Sequence, residues 1–120
     1  MGSTIAKIKI CNPRDISRRI EMELLVDTRS IYTWIKSSKL RTLGIEPMFI
    51  RRFRTIENRI IERSIGEAII ECLNRRATTI VVFAEETDDE VLGLHALEGL
   101  GLEVDPISRK LKEVEAVLAL

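Results

Sequence analysis

Short runs that alternate apolar and polar residues recur along nearly the whole chain, and a period of two belongs to strands, whose successive side chains point to opposite faces of a sheet. Residues 4–10 set Ala6, Ile8 and Ile10 against Ile5, Lys7 and Lys9, and Asn12-Pro13-Arg14-Asp15 supplies a turn. Residues 19–26 alternate and then become continuously apolar at Leu24-Leu25-Val26, which predicts a strand passing from a half-exposed surface into a core. Residues 31–35 are β-branched and aromatic. Residues 49–56, then Glu57-Asn58, then 59–73 read as a hairpin followed by a long strand, with Asn58 tolerating the left-handed backbone of a turn. Asn74-Arg75 reads as a second turn, and residues 78–83 form the most strongly β segment. A turn at Asp105-Pro106 leads to a C-terminal strand over residues 111–118.

Two segments break the alternation. Ser37 or Ser38 is placed to cap a short helix over residues 39–43, with Gly44 at its end and Pro47 beyond. Leu94, Leu97 and Leu100 follow helical spacing, closed by Gly101. No linker-like stretch or tandem repeat divides residues 1–120. The expected fold is therefore mostly β, a single domain with one or two short helices.

Composition narrows the function classes. The chain is 45% hydrophobic but only 4% aromatic, so its core must be aliphatic. Nineteen basic residues balance 19 acidic ones, leaving no overall basic excess of the kind nucleic-acid binders carry, and no nucleic-acid partner is expected. The run Arg51-Arg52-Phe53-Arg54 reads as the solvated face of a strand; with Arg59 and Arg63 it is the one place where a nucleic-acid reading has any footing. No stretch approaches the roughly 18 apolar residues of a spanning helix, and the N-terminus lacks the apolar core of a signal peptide, so the expectation is a cytoplasmic protein without a membrane partner. Cys11 and Cys72 are too far apart for metal-ligand spacing and sit in apolar contexts, which suits buried free thiols in a reducing compartment. His95 is the only histidine, which removes His-centred zinc sites; neither metal nor cofactor is expected. The absence of Gln, with plentiful Ile, Glu and Arg, matches heat-adapted proteins.

One acidic residue stands apart. Asp27 follows three apolar residues, whereas most other carboxylates lie in polar runs such as Glu85-Glu86-Thr87-Asp88-Asp89-Glu90. An acid at the end of a buried strand is costly unless something compensates it. One such compensation is purely structural: an Asx-turn in which the carboxylate accepts backbone N–H groups just ahead of it.

The residues around Asp27 suggest more. Leu24-Leu25-Val26-Asp27-Thr28, followed by Ser30 and Tyr32-Thr33-Trp34-Ile35, resembles the hydrophobic-hydrophobic-Asp-Thr-Gly-Ser/Ala signature of aspartic proteases. Val91-Leu92-Gly93 before a short helix is similar to the hydrophobic-hydrophobic-Gly element of retropepsins, the retroviral-type aspartic proteases. In that family this element crosses the Asp-Thr loop to form a psi-shaped motif. A capped helix, a flap-like hairpin around Glu57-Asn58 and two strands lie between them in the family's order, so the resemblance covers residues 4–118.

The resemblance implies a closed acid-protease barrel completed as a homodimer. Each chain would give Asp27 to a catalytic dyad sharing one proton, because hydrolysis needs one carboxylate as base toward water and one to polarise the carbonyl. Thr28 would donate across the two-fold axis, and Arg29, Ser30, Glu57 and Asn58 would line the substrate site. Residues 4–10 and 114–118 would form the dimer sheet. The implied activity is peptide-bond hydrolysis on a peptide or protein substrate, without cofactor.

Arg29 departs from the pattern, standing where the family has glycine. A guanidinium within about 4–6 Å of a carboxylate favours its charged form and lowers its pKa by about 1–3 units. Arginines from two protomers would strip the dyad of its shared proton near neutral pH. This leaves two expectations: an inactive dimeric peptide-binding module with Asp27 and Arg29 paired, or an enzyme whose Arg29 points along the cleft and selects acidic side chains. The tip Glu57-Asn58 also lacks the family's glycines, so it reads either as an ordinary turn or as a stiffer, more polar lid.

Overall fold

The computed structural model describes residues 3–115 and residue 118. Its strands are β1 (Ile5–Asn12), β2 (Asp15–Val26), β3 (Thr33–Lys36), β4 (Phe49–Arg54), β5 (Ile60–Cys72), β6 (Arg75–Ala84), β7 (Val91–Leu92), β8 (Leu102–Val104) and β9 (Leu111–Glu113). The helices are α1 (Ser37–Thr42) and α2 (Leu94–Leu100). The mostly β expectation holds.

The large sheet runs β1-β2-β7-β3-β6-β5-β4, and a further pairing of β1 with β5 closes its first six strands into a ring. Most neighbours are antiparallel, but β7 runs parallel to β2 and β6 runs parallel to β3. Inside the ring lies the aliphatic core that the composition requires: Ile8, Ile10, Leu24, Ile35, Ile70, Val81 and Leu92, closed at one side by Leu97 and Leu100 of α2. The alternation of β1 sorts its residues as read, with Ala6, Ile8 and Ile10 buried and Ile5 exposed. Cys11 and Cys72 are buried and unbridged, and burial pushes both thiols above their ordinary pKa.

Several local expectations are corrected. Leu24-Leu25-Val26 does not enter the core as a block: Leu24 is buried and Leu25 is 39% exposed, because β2 keeps its pleat to the end. Neither Ser37 nor Ser38 caps α1. The N-cap residue is Lys36, without a side-chain cap bond, and Ser37 lies inside the helix, where its Oγ accepts from Arg41 Nε. The β5–β6 turn places Leu73 and Asn74, not Asn74 and Arg75, at its centre, with φ of 51° and 63°. Asn58 does adopt the left-handed backbone, at φ 64°.

The terminal strands also differ from expectation. Strand β1 is no simple edge, since it pairs with β2 throughout and with β5 over Lys9–Cys11. The C-terminal strand ends at Glu113; of residues 114–118, two are described as non-strand before 116 and 117, which lie outside the described residues.

Candidate functional site

Strand β7 is only two residues long, yet it organises the surroundings of Asp27. Leu25 and Val26 pair with Val91 and Leu92 on one side, and Trp34 pairs with Val91 on the other. Residues 27–32 therefore loop around β7 between β2 and β3. The loop is bonded to the crossing segment along its length: Asp27 N–H donates to the Leu92 carbonyl (3.0 Å), Gly93 N–H to Thr33 Oγ1 (3.0 Å), Leu94 N–H to the Ser30 carbonyl (2.8 Å) and His95 N–H to the Ile31 carbonyl (2.9 Å). Gly93 is required by space, because a Cβ there would lie 2.3 Å from the Tyr32 carbonyl oxygen.

Asp27 sits at the mouth of this loop with its side chain 22% exposed. Its carboxylate accepts the Arg29 backbone N–H (3.0 Å to Oδ1), the Asx-turn anticipated as its structural role. It also accepts a two-pronged contact from the Arg29 side chain, Nε to Oδ1 at 3.1 Å and Nη2 to Oδ2 at 3.4 Å. The guanidinium hydrogen bond, joined by the backbone bond and the charge itself, holds the Asp27 carboxyl below the usual range although partial burial works the other way. Arg29 does not point along a cleft away from the acid; it folds back on it while remaining 84% exposed.

The other site candidates divide. Thr28 is exposed at the loop apex, and its hydroxyl makes no hydrogen bond among the described residues. Ser30 Oγ donates to the Tyr32 carbonyl (2.7 Å), a bond internal to the loop. Glu57 and Asn58 lie at the β4–β5 tip, where Asn58 N–H donates to the Thr55 carbonyl and Asn58 Oδ1 accepts from Arg54. No hydrogen bond or ion pair joins either tip residue to Asp27, Thr28 or Arg29 among the described residues. The structure thus gathers residues 27–30 into one loop and leaves 57–58 on a separate element.

Two features escaped the sequence. Tyr32 is a hub: its ring meets Phe53 edge-on (6.3 Å between centroids) and His95 likewise (6.4 Å), and its hydroxyl accepts from Arg51 (2.9 Å). It thereby ties the hairpin to the Asp27 loop. The acidic segment 85–90 is not a free acidic loop either. Arg63 of β5 grips Asp88 with two bonds (2.7 and 3.0 Å), Lys39 pairs with Glu90, and Lys36 directs its ammonium at the carbonyls of Glu85, Glu86 and Asp88. The basic partners are distant in sequence, so no local pattern announces them.

Among the described residues no group of three or more His, Cys, Asp or Glu is arranged to hold a metal ion, and no helix is long and apolar enough to cross a membrane. A scan of known protein-family models matches none of them to this chain, and a search of curated proteins finds no significant relative.

Proposed function

We propose that the chain is one protomer of a homodimeric, retropepsin-like aspartic endopeptidase in which Arg29 suppresses hydrolysis near neutral pH. The observation that carries this reading is the crossing of the Asp27 loop by Val91-Leu92-Gly93, with β7 parallel to β2 and antiparallel to β3. That arrangement holds one carboxylate at a loop mouth beside a threonine hydroxyl with no partner among the described residues. A two-fold dimer would bring a second Asp27 against the first, as a self-complementary interface requires.

In such a dyad one carboxylate takes a proton from the attacking water while the other, protonated, polarises the scissile carbonyl. Both tasks need one proton shared by two acids. Each Arg29 draws its own Asp27 toward the ionised form, so the singly protonated state is displaced to lower pH. The same contact favours the second reading, a dimer that holds an extended peptide by strand-like hydrogen bonds without cutting it.

Cleavage of a peptide library from acidic to neutral pH, by the unaltered protein, Arg29→Gly and Asp27→Asn, tests both. The expected result is weak cleavage confined to acidic pH, moved toward neutrality by Arg29→Gly and abolished by Asp27→Asn. Cleavage that survives Asp27→Asn overturns the aspartic mechanism. Peptide binding without cleavage in either of the other two proteins leaves the binding module.

A further inference from the structure

We propose that the outer face of the β4–β5 hairpin seats on an anionic lipid bilayer, its arginines at the headgroup phosphates and its isoleucines in the apolar boundary beneath them. This inference goes beyond the protease-type reading, because it needs neither a dimer nor the Asp27 loop. A surface contact needs no spanning helix, and no helix among the described residues is long and apolar enough to be one.

The two faces of the hairpin differ in character. Strand β5 meets β6 only from Ile65 onward, so residues 60–64 extend past the closed ring together with β4. The inner face is fastened to the body: Arg51 reaches the Tyr32 hydroxyl, Phe53 packs on Trp34 (5.2 Å between centroids) and Arg63 holds Asp88. Side chains alternate along each strand, so Ile50, Arg52 and Arg54, with Ile60 and Glu62 across from them, share the outer face. That face is left to solvent, with Ile50 66% and Ile60 42% exposed. Beyond them the turn carries Ile56, which at 98% is the most exposed large apolar side chain among the described residues. Single exposed apolar residues are ordinary, but three isoleucines along one unsupported ribbon, interleaved with arginines, form a patterned surface.

Charge and shape select the partner. Between residues 50 and 62, Arg51, Arg52, Arg54 and Arg59 stand against Glu57 and Glu62, which reduce the basic excess without cancelling it. Arg52, Arg54 and Arg59 make no ion pair among the described residues. Arg54 donates to the neutral Asn58 amide oxygen (2.6 Å), which leaves its charge uncompensated. The chain's own acidic segment is engaged elsewhere, Asp88 by Arg63 and Glu90 by Lys39. With cations and aliphatic side chains on one face, a flat partner offering anions above and hydrocarbon below meets all of them at once, as anionic lipid does. A nucleic acid would offer the anions but no apolar layer. The rings on which bases could stack, Tyr32, Trp34 and Phe53, are packed against one another on the inner side.

Cosedimentation with vesicles of phosphatidylcholine, alone or mixed with phosphatidylserine, tests the assignment. The protein should pellet with the mixed vesicles and not with the neutral ones, and added salt should release it. Arg52→Gln, Arg54→Gln should lower affinity about tenfold with circular dichroism unchanged. Ile56→Asn, which leaves the charge intact, should lower it several-fold. Lys7→Gln, Lys112→Gln removes as much charge from exposed positions on other strands and should bind like the unaltered protein. No pelleting with mixed vesicles, equal pelleting with neutral ones, or an equal loss in the Lys7, Lys112 control overturns the proposal. So does indifference to Ile56→Asn, which would leave charge adsorption alone, or a single-stranded oligonucleotide that binds more tightly and strips the protein from the vesicles.

Discussion

The Arg29 guanidinium straddles the Asp27 carboxylate, Nε on one oxygen at 3.1 Å and Nη2 on the other at 3.4 Å, while the Arg29 backbone N–H caps the first oxygen from the same turn. Two residues apart in sequence, they form a closed local unit: the acid is largely sheltered and the base mostly in solvent. Such a pair sets a protonation state more than it stabilises a fold, since an exposed partner is screened by water.

Removing the guanidinium should therefore appear first in the titration of Asp27. Its pKa is lowered in the folded chain, so the stability linked to its ionisation is present above the unfolded carboxylate range and is lost as pH falls through the folded value. In Arg29→Gly the Asp27 carboxyl should titrate at higher pH, and acid unfolding should begin correspondingly earlier. Carboxyl carbon chemical shifts followed against pH check the first, and circular dichroism the second. An unmoved Asp27 titration would mean that the backbone bond alone sets it.

Asp88→Asn should destabilise the chain by about 1–3 kcal/mol, measured by chemical denaturation, because the largely buried Arg63 would lose its two close charged bonds and keep only the longer contact with the exposed Glu85 carboxylate (3.6 Å). The folded carboxyl is lowered chiefly by the Arg63 hydrogen bond, so here too the contribution is present above the unfolded carboxylate range and disappears as pH drops through the folded value. Exchange of the β4 and β5 amides should accelerate at the same time, since this pair fastens the β4–β5 hairpin to the acidic segment.

Gly93→Ala should cost about 1–3 kcal/mol or more in thermal or denaturant unfolding. Its φ of −90° is open to any residue, so the penalty comes from the Tyr32 carbonyl that the new Cβ would strike. The loop must then part from β7, and amide protection at Asp27, which rests on the Leu92 carbonyl, should fall with it.

Leu73→Asn should raise stability by about 1 kcal/mol, because a leucine held at positive φ is strained where asparagine is tolerated. Leu73 is 55% exposed, so little apolar burial is lost to offset the gain. A lower melting temperature in this variant would show that the leucine makes a contact outweighing its backbone strain.

The sequence by itself determined the longer strands, where most turns fall and most of the aliphatic side chains that face inward, because these follow from local chemistry: period-two alternation, glycine and asparagine at positive φ, helical leucine spacing; the short strands β7 and β8 carry no such pattern. It also singled out Asp27 and its odd neighbour Arg29, which act on each other across one turn. Only the tertiary structure decided the rest. Leu25 turned outward because the pleat of β2 is set by pairing with β1 and β7, not by its apolar neighbours. Lys36, Lys39 and Arg63 converged on the acidic loop, and Tyr32 met Phe53, because ring closure brings distant segments together. Pairings across such separations leave no periodic trace, since any of many basic residues would satisfy a carboxylate equally well until the chain folds.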